Sequence, residues 1–223
     1  MIDPVAENLH RWTAPHPLWR EGDDEGPGGW PRDVNSHLYE RDGTATIFDP
    51  QLGDDDAAVW AFLDERAAAA ARVVIALTAS WHLRSGVAVS ERYDAEIRLH
   101  RIAAGDTVMQ GLARVRPFDA DGEVAPGVES LLIGGYNQGE VLYWLPEDAA
   151  LVAGEVFQGR PDGLRVGPDP YLVSREALYA WLEALDRLPV TLVLPAHGPP
   201  APDGPDVIRR ALARPPWELR GSG

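Results

Sequence analysis

Apolar positions along this chain fall into three patterns, and each predicts a different kind of element. "RVVIALT" at 72–78 is a continuous apolar run, the signature of a strand covered on both faces. "EIRLHRI" alternates, while "VESLLIGG", "EVLYWL" and "ALVAGE" are short apolar runs separated by turn residues, so all four read as strands. In "SREALYAWLEALDRL", Leu178, Trp181, Leu182 and Leu185 share one helical face and Ser174 stands where an N-cap belongs. "DDDAAVWAFLDERAAAAA" reads as a helix with Val59, Phe62 and Leu63 as its stripe and acids in its first turn, where the helix dipole favours them. Asp42-Gly43, between two β-prone runs in "VNSHLYERDGTATIFDP", predicts a tight hairpin. "TLVLPAHG" and "DVIRRALA" close the pattern as a strand and a short helix, after a Pro/Gly-rich loop, "QGRPDGLRVGPDP".

Helices at intervals among many short strands predict a layered architecture with helices outside packed sheets. A doubly wound sheet would need a helix after nearly every strand, and the middle third predicts none. Residues 1–33, rich in Trp, Pro, Gly and acids and including "EGDDEGPGGWPRD", read as a loop-rich N-terminal extension. Residues 34–214 form the domain and 215–223 a C-terminal tail; 223 residues suffice for one domain with a substantial core.

Composition narrows the chemistry mainly by exclusion. A net charge of −15 argues against nucleic acid and anionic membranes, both of which need a basic face. Every one of the 20 basic residues is arginine, which a GC-rich genome explains more simply than function does. With no cysteine, disulfides, thiolate nucleophiles and thiolate metal ligands are ruled out. No apolar stretch reaches the roughly 20 residues of a membrane span, and "MIDPVAENLHRW" lacks a signal peptide's basic start and apolar core. The expected location is therefore cytoplasmic. Walker, dinucleotide and Gly-x-Ser-x-Gly motifs are missing as well.

Five stretches in order carry a family resemblance. They are the hairpin ending in Asp49, "VVIALTASWHLRSG", "PGVESLLIGG", "LVAGEVFQG" and "LVLPAHGPP". Together, over about Val34 to Leu212, they resemble the metallo-β-lactamase superfamily. The resemblance implies an α+β fold, a four-layer αβ/βα sandwich, and a loop-borne site at one sheet edge. Members hold two metal ions, often zinc, through about five histidines and two aspartates. This chain departs from that set. Anchored on Thr78, the first ligand loop puts Ala79, Trp81, Leu83 and Arg84 at the four ligand places; one inserted residue would bring His82 to a ligand place. Val128 stands at the next histidine position, Glu155 at the bridging aspartate, and only His197 matches directly.

Several residues are therefore candidates for function. His82, Arg84 and His197 are the expected catalytic or binding groups, and Trp81 with Arg84 would line a ligand pocket. Arg84 would replace the lost metal charge and pair with Glu155, which would otherwise be an unpaired carboxylate at the end of an apolar strand; the plainer reading leaves Arg84 on the surface. A lone histidine in a loop is commonly structural, which holds for both His82 and His197. Asp49 is expected to brace neighbouring loops and His37 to pack. His10, His16 and His100 have no supporting context, and Asn35 and Tyr136 no assigned role.

The leading functional reading is a protein without the dinuclear site and without a cofactor, binding a small anion such as a carboxylate or phosphate ester, or running a diverged hydrolysis. The alternative is a mononuclear hydrolase of an ester, lactone, amide or thioester. In it His82, Glu155 and His197 hold one zinc, iron or manganese ion. A third reading is an interaction module or homodimer that uses some of its eight tryptophans.

Overall fold

The computed structural model describes residues 2–23, 31–53, 56–119, 121–136, 139–167, 172–202 and 204–215. Strands β1 (Ile2–Ala6), β2 (Leu9–Pro15), β3 (Asp33–Arg41), β4 (Thr44–Phe48), β5 (Arg72–Ala76), β6 (Glu96–His100) and β7 (Val115–Phe118) form one sheet in sequential order. It is antiparallel up to the β3–β4 pair and parallel from β4 onward. The second sheet has the order β14-β11-β10-β9-β8, built from β8 (Gly122–Ala125), β9 (Val128–Leu132), β10 (Val141–Leu145), β11 (Ala150–Gly154) and β14 (Leu192–Pro195). A two-stranded ribbon, β12 (Phe157–Arg160) with β13 (Gly163–Val166), completes the strands.

Helices α1 (Ala57–Ala69), α2 (Gly86–Tyr93) and α3 (Arg101–Ala104) are joined in sequence to the first sheet, α4 (Arg175–Leu185) and α5 (Val207–Leu212) to the second. The side-chain alternation of single strands shows how the layers form. In β5 and the residue after it, Val73, Ile75 and Leu77 join a core with Leu63 and Val89 of the helices, while Val74 and Ala76 face Tyr143 and Leu194 of the other sheet. In β10, Leu142 and Trp144 meet Leu178 and Leu182 of α4, whereas Val141 and Tyr143 face the first sheet. Three cores between four layers follow, helix–sheet–sheet–helix, as the continuous apolar run of β5 required. Each fully buried Leu or Ile in them contributes about 1.5–3 kcal/mol.

Most expected elements form. Asp42 and Gly43 turn the β3–β4 hairpin, both with positive φ (46° and 70°). Ser174 caps α4, its hydroxyl accepting from the Ala177 amide at 3.2 Å. The N-terminal segment differs from expectation: residues 2–15 are two strands and not loop, and they extend the main sheet rather than forming an extension outside it. Leu9 and Trp12 are completely buried there, and the Trp12 indole donates to the Gln51 carbonyl at 2.8 Å. Most of "EGDDEGPGGWPRD" lies outside the described residues. "QGRPDGLRV" is a hairpin rather than a loop, and α2 lies in a stretch where no helix was expected. No helix among the described residues is long and apolar enough to cross a membrane.

Candidate functional site

The parallel pairs β4–β5 and β11–β14 bring four carboxyl-terminal loops to one edge of the sandwich. Asp49 follows β4, Thr78 to Arg84 follow β5, Glu155 follows β11 and His197 follows β14. The two sheets are joined at this edge: Val34 bridges His197, and the Asn35 amide donates to the Ala196 carbonyl at 2.8 Å. The Tyr143 hydroxyl donates to the Leu77 carbonyl at 2.8 Å across the interface.

A chain of buried ionisable groups runs through the edge. Asp49, held with φ of 47°, accepts from the Thr78 amide through Oδ1 (2.8 Å) and from the Thr78 hydroxyl through Oδ2 (2.6 Å). Its Oδ2 also lies 3.0 Å from His82 Nδ1. On the other side of the ring, His82 Nε2 lies 3.2 Å from Glu155 Oε1, and His197 Nε2 approaches the same oxygen at 3.3 Å. Gln158 donates to the second oxygen of Glu155 at 2.8 Å. The order is thus Asp49, His82, Glu155, His197, with all four side chains buried.

Charge pairing sets the protonation of this chain. Burial and the nearby Arg84 push His82 down, but Asp49 and Glu155 outweigh them and raise it above the ordinary imidazole value. Burial pushes Glu155 up, and His197 and His82 reverse that, holding it well below the ordinary carboxylate value. Asp49 behaves alike, its burial overcome by His82, Arg84 and Thr78. Glu140 forms no ion pair among the described residues: burial, with Glu155 and Asp49 adding to it against His82, pushes it up to about 8. A neutral Glu140 leaves its Oε1 to accept from the Glu155 amide at 3.2 Å.

Arg84 stands apart from this pairing. The sequence pointed to a contact with Glu155, yet that carboxylate is taken by His82, His197 and Gln158, and Arg84 forms no ion pair among the described residues. Its Nε and Nη1 are shielded from solvent and have no hydrogen-bond partner there, although the residue as a whole is only half-buried. Burial lowers its pKa, and Asp49 and Glu155 attract it from a distance. Its backbone takes φ 37° and ψ −113°, a conformation that non-glycine residues adopt at a cost of about 1–3 kcal/mol. Trp81, on the 3-10 turn that Arg84 follows (Ser80–Leu83), is 39% exposed and meets the His82 ring edge-on at 5.9 Å.

Several contributors were not legible in advance. The His16 ring sits 6.2 Å from that of His197, and burial together with Arg84 and His197 lowers it to about 4, so it stays neutral. Asn35 Nδ2 donates to the carbonyls of Pro195 (2.8 Å) and Gly198 (2.7 Å), clamping the His197 loop. The Tyr136 hydroxyl donates to the Glu155 carbonyl at 3.3 Å. Only the fold connects His16 to the site, whereas the polar "NSH" triplet between Val34 and Leu38 was a usable signal for Asn35. His37 is buried on β3, as expected of a packing residue, while His10 and His100 lie away from the chain of ionisable groups. Among the described residues, no group of three or more His, Asp or Glu side chains is arranged to hold a metal ion.

No protein-family model and no curated protein matches the sequence. Solved structures do. The DIM-1 metallo-β-lactamase superposes with a TM-score of 0.72 at 16% identity, covering 96% of this chain and 95% of that one. The metallo-β-lactamase from Pontibacter korlensis gives 0.70 at 16% identity, over 96% and 97%. TTHA1623, solved in a di-iron-bound form, gives 0.61 at 24% identity over 84% of this chain and 96% of that one. At such identities the likeness speaks to architecture, and on that ground this chain has the metallo-β-lactamase fold.

Proposed function

We propose that this chain works without a metal and binds a small anion at Arg84, in the loop where the fold's first metal ligands belong. The carrying observation is the pair of shielded guanidinium nitrogens with no hydrogen-bond partner among the described residues. Donors left unpaired in a shielded place cost free energy, and an anion that displaced the groups shielding them would satisfy them. The donor chemistry supports the metal-free reading. Ala79, Leu83 and Val128 offer no ligand atoms, and the remaining imidazole Nε2 atoms face one carboxylate oxygen as hydrogen-bond donors. Such an arrangement does not fit a two-ion centre. A raised His82 and the fixed charge of Arg84 supply two cations opposite Asp49 and Glu155, so the site balances its own charge. If the bound anion reacts, His197 is the candidate proton carrier, its Nε2 facing Glu155 Oε1 at 3.3 Å. Calorimetric titration with acetate and with inorganic phosphate tests this reading: Arg84→Gln should abolish the heat of binding, and undiminished binding by that variant would refute it.

The mononuclear hydrolase keeps one observation in its favour. His82 Nε2 and His197 Nε2 both lie within 3.3 Å of Glu155 Oε1, and Asp49 backs His82 Nδ1 as a carboxylate commonly backs a metal-bound histidine. On that reading the three residues would hold one ion, which would supply an activated water. His197→Ala should then remove metal and esterase turnover together, and turnover that survives the substitution would exclude it.

A further inference from the structure

Five large hydrophobic side chains are exposed among the described residues: Leu18, Trp81, Ile102, Val108 and Val173. Scattered singly, such residues need no explanation. Here Trp81 sits in the Arg84 loop, Leu18 and Val108 on segments that contact the site's loops, and Ile102 and Val173 on segments that contact the stretches around Glu140 and Tyr136. The Leu18 amide donates to His16 Nδ1 at 3.1 Å, and the His16 ring lies 6.2 Å from His197. Trp81 immediately precedes His82. Val108 belongs to a 3-10 turn (Thr107–Met109) that packs on the turn of Trp81, with the Ser80 hydroxyl bonded to Asp106. Ile102 lies against Gly139, where a Cβ would come within 3.0 Å of it, and Gly139 precedes the Glu140 that receives the Glu155 amide. The Val173 amide donates to the Gly135 carbonyl at 3.0 Å, beside Tyr136 and its bond to the Glu155 carbonyl. None of the five lies on α1, α4 or α5, or on a sheet edge.

We infer that the site takes a monocarboxylate carrying an apolar chain or ring, its head on Arg84 and its apolar part against Trp81 and the neighbouring rim. The inference rests on the anion reading above and narrows its ligand class. A singly charged head is favoured over a phosphate dianion because one guanidinium must hold it while the negative charges of Asp49 and Glu155 act on the same place. An apolar tail gives an exposed tryptophan in the Arg84 loop, and the exposed Val108 of the turn packed on that loop, something to do: their surface leaves water only when such a ligand covers it.

The test is calorimetric titration of the full chain with acetate, butanoate, hexanoate and octanoate, the last kept below its micelle concentration. Each methylene covered strengthens binding about threefold to fourfold, so octanoate should exceed acetate by more than about 100-fold. Trp81→Ala and Val108→Ser, both at exposed positions, should shrink the octanoate-to-acetate ratio. Arg84→Gln should weaken every member of the series. Equal affinity along the series with Arg84 dependence intact would overturn the inference and leave the anion reading standing. Chain-dependent binding indifferent to Arg84→Gln, or no binding at all, would overturn both. A hexyl phosphate binding more tightly than a carboxylate of equal chain length would overturn the choice of head group.

Discussion

His37 offers a quantitative check on how the polar row under the site is held. It lies on β3, 2% exposed, and its Nε2 is shielded with no hydrogen-bond partner among the described residues. Burial lowers its pKa from 6.5 to about 3, against a weaker pull from Asp49. The unfolded chain therefore binds a proton that the folded chain refuses between those two values, so this residue's effect on stability is lost as pH falls below 6.5. At pH 5 the penalty is about 2 kcal/mol, one and a half pH units at roughly 1.36 kcal/mol each. His37→Phe removes the titration while keeping an aromatic ring. Urea unfolding of both proteins at pH 7 and pH 5 gives the answer as a difference of differences, which cancels any packing change made by the phenylalanine. The natural chain should lose about 2 kcal/mol more than the variant on acidification. Equal losses would mean that His37 accepts its proton in the folded state, and the argument from burial would be wrong.

Other consequences are open to the same methods. His82→Gln leaves Asp49 and Glu155 buried without their shared cation and should cost about 3–5 kcal/mol in urea unfolding, far above an ordinary polar substitution. Gly154→Ala should cost about 2–5 kcal/mol, since φ is +50° there and a Cβ would stand 2.9 Å from the Thr78 hydroxyl. Asn35→Ala frees the Pro195 and Gly198 carbonyls at about 1–3 kcal/mol each and should weaken acetate binding by loosening the His197 loop; stability and affinity both unchanged would refute the clamp.

The layered fold was legible because its strongest signals are local. The unbroken apolar run of β5, the Asp42-Gly43 turn and the Ser174 cap each act within a few residues, and each forms as expected. The N-terminal strands were hidden by composition, since Pro4 interrupts β1 and Pro15 ends β2, and their hairpin is held to the sheet only through β3, some twenty to thirty residues on. The ribbon of β12 and β13 has a local signal in "RPDG", which is turn chemistry between two short strand-forming runs. Within the site, the sequence pointed to His82, Glu155 and His197, and the structure brings those three together. What it left open was who pairs with whom. Arg84 was matched with Glu155 on charge alone, but an imidazole sits closer, and pairing inside a fold is decided by reach as well as sign. The contribution of His16 depends on a contact 181 residues away in sequence and has no local signature.

The central claim is that side-chain cations, His82 and Arg84, occupy the role that metal ions fill elsewhere in this fold. Elemental analysis by plasma mass spectrometry, on protein incubated with excess zinc, iron and manganese salts and then desalted, tests it most directly. The account predicts no stoichiometric metal on the natural chain and the same result for His197→Ala. One or two ions retained per chain, and lost from His197→Ala, would contradict it.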